Sequence, residues 1–152
     1  MSMLSRVLLA CAAVTVCLGC GPKSRLLPNL SCFDAEKLKA EPLVYGEITH
    51  DASAPDGWSG MEVFFGVDSA GKLTARIREK GGASKQTRPV DHVTYDADTD
   101  SLTLLYTAAG NTKFTRTYRP RCDRLAGFAT LKMSPSEPSI VVADTLPRVE
   151  RR

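Results

Sequence analysis

From residue 43 to residue 146 the apolar residues fall at every second position in short runs. That is the period of a half-buried strand, not of a helix. Met61, Val63, Phe65 and Val67 share one face, and Leu73, Ala75 and Ile77 continue it opposite Thr74, Arg76 and Arg78. Val93 and Tyr95 alternate with His92 and Thr94, Leu102, Leu104 and Tyr106 make the next face, and Phe114 and Tyr118 flank Arg116. Residues 43–49, 125–133 and 140–146 complete the series. Turn formers separate the runs at 68–71, 96–100 and 109–111, with longer polar loops at 51–57 and 81–89. The pattern predicts an all-β chain of about eight strands. They form a single antiparallel up-and-down meander, built as a small barrel or a sandwich. One short helix precedes it. Ser31 followed by Asp34 resembles a capping box, and residues 33–40 have room for two turns before Pro42. Phe65 and Asp68 before Leu73 are echoed by Val93 and Asp96 before Leu102, but the spacings differ. The echo is shared hairpin grammar, not a repeat.

The first twenty residues have another texture, with fifteen of them apolar. Arg6 and the terminal amine precede an apolar stretch at 7–18, too short for the ~20 residues that span a bilayer. It suits the core of an export signal. The sequence Cys17-Leu18-Gly19-Cys20 resembles the lipobox of bacterial lipoproteins, in which a small residue precedes the cysteine that is acylated and becomes N-terminal. Leu8-Leu9-Ala10-Cys11 also fits that motif, but cleavage there leaves only four apolar residues after Arg6. The resemblance implies lipid on Cys20 and lasting attachment to a membrane, since several acyl chains anchor where one does not. Gly21 stands where the family's inner-membrane retention signal has Asp, which implies the outer membrane in an organism that has one. A secreted protein without lipid and a buried N-terminal helix are the alternatives. The expected organisation is a signal peptide at 1–19, a lipidated N-terminus and tether at 20–31, a β-barrel-like domain at 32–147 and a basic tail at 148–152. Residues 21–30 carry two prolines and no periodicity, and extended they reach ~35 Å.

Export changes the reading of the cysteines. Of five, Cys11 and Cys17 leave with the leader and Cys20 takes the lipid. Cys32 and Cys122 remain in an oxidising compartment and are expected to pair.

A second resemblance spans about 47–148. Gly57-Trp58-Ser59-Gly60 before an alternating strand, the meander, Leu125-Ala126-Gly127-Phe128 in a late strand and Arg148 after the last one resemble the small calycin-like or lipocalin-like barrels of exported bacterial proteins. In that group a Trp near the first strand packs under an Arg near the last. The resemblance implies that closing role for Trp58 and Arg148.

Composition adds limits. With 43% apolar residues and ten aromatics the chain can bury a core. A net charge of +3 is too small to argue for nucleic acid, and the aromatics do not interleave with basic residues as a stacking platform needs. No nucleic-acid partner is expected. Charge is uneven all the same, with eight acids and three bases over 25–71 against six acids and eleven bases over 72–124. Arg76, Arg78, Lys80, Lys85 and Arg88 cluster, as do Lys113, Arg116, Arg119, Arg121 and Arg124. Such clusters serve as solvated strand faces, or as a patch for anionic lipid, lipopolysaccharide or an acidic partner.

Motifs for chemistry are few. Asp96, Asp98 and Asp100 have calcium-loop spacing, but Ser101 replaces the needed Gly and Thr107 the bidentate Glu, so a turn is expected. Around Ser59 the nucleophile-elbow pattern lacks its second glycine, because Met61 stands there. His50 and His92 each neighbour an Asp in sequence (Asp51 and Asp91), and strand neighbours point to opposite faces. Two histidines and no free thiol cluster give no zinc set, and neither metal nor cofactor is expected. Period two places Arg116 inside with Phe114 and Tyr118, where a guanidinium needs a partner. Glu47 or Glu62 is one answer, and a bulge turning Arg116 outward is another. The third is an acidic headgroup, with Tyr95, Tyr106 and Phe65 lining an apolar cavity. The reading is therefore a membrane-anchored envelope lipoprotein with a non-enzymatic binding or scaffolding domain for a small amphiphile or an envelope component. A lipoprotein with a filled core that contacts proteins is the first alternative, and a hydrolase the second.

Overall fold

The computed structural model describes residues 26–50, 52, 56–108, 111–132 and 139–150. The leader, the Cys20 motif and the first part of the tether lie outside the described residues, as do the tip of the 109–111 turn and the end of the tail.

Among the described residues nine strands follow one another: β1 Leu43–His50, β2 Trp58–Val67, β3 Leu73–Gly81, β4 Ser84–Pro89, β5 His92–Asp96, β6 Ser101–Thr107, β7 Lys113–Pro120, β8 Arg124–Lys132 and β9 Ile140–Pro147. Every pairing is antiparallel, in a four-stranded sheet β1-β2-β3-β4 and a five-stranded sheet β5-β6-β7-β8-β9. The all-β meander is present, as two sheets and not as a closed barrel. Single contacts stitch the seams. Tyr45 and Arg148 form an isolated bridge, with the Val149 N–H donating to the Val44 carbonyl at 2.9 Å. At the other seam the chain passes from one sheet to the next within two residues, the Val90 N–H donating to the Ala75 carbonyl of β3 at 3.0 Å and the Asp91 N–H to the Leu105 carbonyl of β6 at 2.8 Å.

The additional strand is β4, where the polarity of 81–89 predicts a loop. Gly82, at φ 59, makes the tight hairpin from β3 that brings Gly81 opposite Ser84. Its sequence, Ser-Lys-Gln-Thr-Arg-Pro, has no apolar alternation because both of its faces meet water or other polar groups.

Inward positions of both sheets meet in one core. Val63, Phe65, Ile77, Leu102, Leu104, Tyr106 and Leu125 have no accessible surface. One end is plugged by helix α1, Ala35–Ala40, and the turns before it. Its N-cap is Asp34, whose carboxylate accepts from the Glu36 and Lys37 N–H groups at 3.1 and 3.2 Å, and not Ser31 of the expected capping box. Phe33 packs on the four-stranded sheet with its ring 5.3 Å from Phe65 and 6.3 Å from Tyr45. Leu27 is fully buried, and the Leu30 and Phe33 N–H groups bond back to the carbonyls of Leu27 and Leu30. Residues 26–30 are thus packed turns, not an extended tether, because Leu26, Leu27 and Leu30 have apolar surface to bury against the plug.

The disulfide forms as expected between Cys32 and Cys122, with Cα atoms 5.7 Å apart. It fastens the plug to the β7–β8 turn. Closing 90 residues contributes up to about 4–5 kcal/mol in the chain-entropy view. Beside it the Tyr45 hydroxyl donates to the Arg121 carbonyl at 2.7 Å. Strands β7 and β8 approach so closely at Gly127 that a Cβ there would lie 1.9 Å from the Thr117 carbonyl oxygen. Only glycine fits that bend.

Candidate functional site

The most concentrated polar chemistry inside the molecule surrounds Arg116. On β7 its register partners are Leu104 and Ala129, so its side chain turns inward with Phe114 and Tyr118 as alternation requires. Its Nη1 donates to Asp144 Oδ2 at 2.6 Å and its Nε to the Tyr106 hydroxyl at 3.0 Å. Tyr118 donates to the same Asp144 oxygen at 2.5 Å. Tyr106 in turn donates to Glu79 Oε1 at 3.2 Å, which carries the chain of contacts from the five-stranded sheet to the four-stranded one. Arg88 of β4 approaches the other Glu79 oxygen at 3.8 Å, and its buried Nε lacks a hydrogen-bond partner.

The carboxylate that answers Arg116 is therefore Asp144, not Glu47 or Glu62, and no bulge turns the arginine outward. Glu62 alternates with Met61 and Val63, so it lies on the opposite face of β2 and pairs there with Arg78. Glu47 is exposed near the unplugged end.

Electrostatics follow from burial and pairing. Removal from water pushes the Tyr118, Tyr106 and Tyr45 hydroxyls above the usual phenol range, although the neighbouring guanidinium (Arg116 for the first two, Arg148 for Tyr45) works against it. Burial alone would lower Arg116, but Tyr118, Tyr106 and Asp144 outweigh it and hold the guanidinium charged. The cluster can brace two sheets.

The other residues singled out in the sequence fall in separate places. Phe65 and Tyr106 are fully buried. Tyr95 is half-buried and donates to Asp100 at 2.8 Å. Trp58 is 40% exposed; its ring stands 4.6 Å from His50 and beneath the Lys80 ammonium at 4.4 Å. The cation over Trp58 is Lys80, not Arg148, which instead joins the chain after β9 to β1. Trp58 and Ser59 begin a strand, not a strand-to-helix elbow. His50 and His92 lie on different sheets, and Asp91 accepts from the Thr107 hydroxyl at 3.0 Å.

Around Asp96 the carboxylates are used in the turn itself. Asp96 accepts from the Asp98 and Thr99 N–H groups and the Thr99 hydroxyl, which holds it below the usual carboxylate range. Arg121 and Tyr95 do the same for Asp100, which sits in the left-handed region at φ 51. Among the described residues no group of three His, Cys, Asp or Glu side chains is placed to hold a metal.

Two clefts open near the plugged end. One, of about 730 Å³, lies between α1, the disulfide and the chain after β9, and includes Lys37, Glu41, Arg148 and Glu150. Another, of about 280 Å³, separates α1 from β2 and β3 at Pro42, Phe64 and Arg76. Phe65 borders the second cleft, and neither cleft includes Arg116, Tyr95 or Tyr106. No described helix is long and apolar enough to cross a membrane.

No known family, curated protein or solved structure matches the chain. The functional reading therefore rests on the residues themselves.

The basic clusters separate on folding. Arg76, Arg78 and Lys80 project from the outer face of β3, with Arg78 on Glu62 and above the Phe64 ring at 4.8 Å. Arg121 and Arg124 pair with Asp100 and Asp123 at 2.6 and 2.9 Å. The large apolar side chains left exposed gather elsewhere, at Phe128 on β8 and Ile140, Val141 and Val142 on β9. Alternation on β9 was the missed signal for Asp144. Ile140, Val142, Asp144 and Leu146 share one parity, which puts a single carboxylate on the inward face of an apolar strand.

Proposed function

We propose that the protein is an exported, lipid-anchored envelope protein whose β-domain works by surface contact with other proteins, around a filled interior. The anchor rests on the leader and the Cys17–Cys20 motif, and the oxidising compartment it implies agrees with the disulfide between Cys32 and Cys122. The observation that carries the contact reading is the Arg116–Asp144 pair. The guanidinium that would hold an acidic headgroup is already neutralised from within, and the aromatic positions beside it are closed. A cation answered by its own carboxylate gains little from an external anion. The hydrolase reading has least support, since among the described residues neither histidine meets a carboxylate or a nucleophile.

The test is purification of the full-length protein from native membranes in mild detergent, followed by mass spectrometry. The expected result is acylation at Cys20, a co-purifying envelope protein and no stoichiometric amphiphile. A lipid retained one-to-one overturns the filled interior. Cys20→Ser with unchanged mass and membrane association overturns the anchor.

A further inference from the structure

We propose that the outer edge of β9 pairs with the same edge of a second copy of this chain, joining two five-stranded sheets across a twofold axis. This deepens the surface-contact reading above and does not depend on the lipid.

The backbone shows which groups are available. The Arg148 N–H bonds across to Asp123, ahead of β8, whereas the Val149 N–H bonds away from it to Val44. Hydrogen-bonding direction alternates along an antiparallel strand. Even-numbered residues of β9 therefore face β8, and Val141, Ala143 and Thr145 turn their N–H and C=O groups to the open side. Past Val149 and the Tyr45–Arg148 bridge, β1 supplies no further rung to that side. Pro147 has the outward parity but no N–H, so the usable edge is the half of β9 far from the bridge.

The side chains there say what fits. Ile140, Val141 and Val142 are 53%, 61% and 56% exposed, and Phe128 on the neighbouring strand is 58% exposed. They project from both faces of the sheet, and residues 140–143 carry no charge. A free edge that is apolar on both faces and uncharged lacks the features that normally repel a second strand. An identical strand supplies the same properties in return.

Symmetry selects the register. Antiparallel pairing about a twofold keeps both faces of each copy continuous with the other's, so the axis passes through a residue that lies opposite its own copy, whether that residue bonds outward or inward. Centred on Val141, the pairing sets Val141 against itself, Ile140 against Val142 and Ala143 against Ser139. Centred on Val142, it would set Ile140 against Asp144; centred on Ala143, it would set Val142 against Asp144 and bring Pro147 into the ladder; centred on Ile140, it would pair the rest of β9 only with residues that precede the strand. The axis falls at Val141.

Single-cysteine cross-linking in membranes of cells making the full-length protein tests this. A residue on the axis lies ~5.5 Å from its own copy, within disulfide reach, whereas one residue further along is already beyond ~7 Å. Val141→Cys is expected to give a disulfide-linked dimer after mild oxidation, with Val142→Cys and Ala143→Cys no higher than the wild type. Absence of the Val141→Cys dimer, or equal cross-linking at all three positions, overturns the proposal. In detergent, sedimentation is expected to find the wild type dimeric and Val141→Lys monomeric, the latter with its Cys32–Cys122 disulfide intact. Two monomers, or two dimers, overturn it as well. A monomer that still co-purifies with a different envelope protein removes self-pairing and leaves the surface-contact reading standing. A dimer that retains a stoichiometric amphiphile does the reverse.

Discussion

Strands β4 and β9 are each an edge of their sheet, β4 of the four-stranded and β9 of the five-stranded, and they treat that position in opposite ways. On β4 the exposed residues are Ser84, Lys85, Gln86 and Thr87, ending in Pro89. Lys85 sits directly opposite Lys80, so two like charges share one face of the sheet. On β9 the first four residues are Ile-Val-Val-Ala. Charge and proline make the β4 edge a poor template for another chain; the β9 edge has neither until Asp144 and Pro147. Anchorage differs in the same direction. Beneath β9, Asp144 takes Arg116 and Tyr118, whereas beneath β4 Arg88 has only a 3.8 Å approach to Glu79. A strand held firmly from inside can leave its outer edge open without fraying.

The sharpest way to break this contrast is to remove the internal hold. Asp144→Ala leaves a largely buried guanidinium and the Tyr118 hydroxyl without their acceptor, and is expected to cost about 3–5 kcal/mol. Arg88→Ala on β4 is expected to cost less than about 1 kcal/mol. Urea unfolding of both variants measures the difference, and equal losses would remove the asymmetry. Next in size is the staple at the plug. Replacing Cys32 and Cys122 together by Ser is expected to cost about 2–4 kcal/mol and to loosen the junction where the chain after β9 meets β1.

The pairing of the two faces was legible in the sequence to different depths. Strict alternation in β2, β3, β6 and β7 fixes which side chains face inward, and it puts Arg116 inside unless a bulge interrupts β7. The β4 strand was hidden because a strand with little apolar surface to bury leaves no period in hydrophobicity; only its hairpin glycines mark it. Asp144 was hidden for the opposite reason. The apolar run of β9 reads as a continuous core strand, and a lone carboxylate within it gains meaning only once its parity is matched to Arg116 across β8. The two-sheet split depends on where the chain changes sheets, as between Val90, which bonds to Ala75, and Asp91, which bonds to Leu105, and no local pattern announces it.

Alkaline pH gives a third, smaller effect on the β9 side. Burial raises the Tyr106 and Tyr118 phenols above their unfolded values. Above about pH 10 the unfolded chain therefore releases protons that the folded chain still holds, so stability is complete below that pH and falls as pH rises, by up to about 1.4 kcal/mol per unit for each tyrosine. Phenolate absorbance is expected to appear together with loss of the β-sheet circular dichroism, not before it. The smallest effect belongs to β4. Lys85→Glu replaces a like pair with an opposite one and is expected to stabilise by about 0.2–1 kcal/mol, less at high salt. A destabilisation there would mean that the two lysines are held apart by something other than water.

Amide hydrogen exchange of the full-length protein in detergent compares the two edges most directly. By the alternation that places Val141 and Ala143 outward, the Lys85 and Thr87 N–H groups of β4 also face away from their sheet, since the Val90 N–H turns inward to Ala75. The account predicts that the Ala143 amide exchanges slowly in the wild type and quickly in Val141→Lys, while Lys85 and Thr87 exchange quickly in both. An Ala143 amide as fast as Lys85 in the wild-type protein would contradict it.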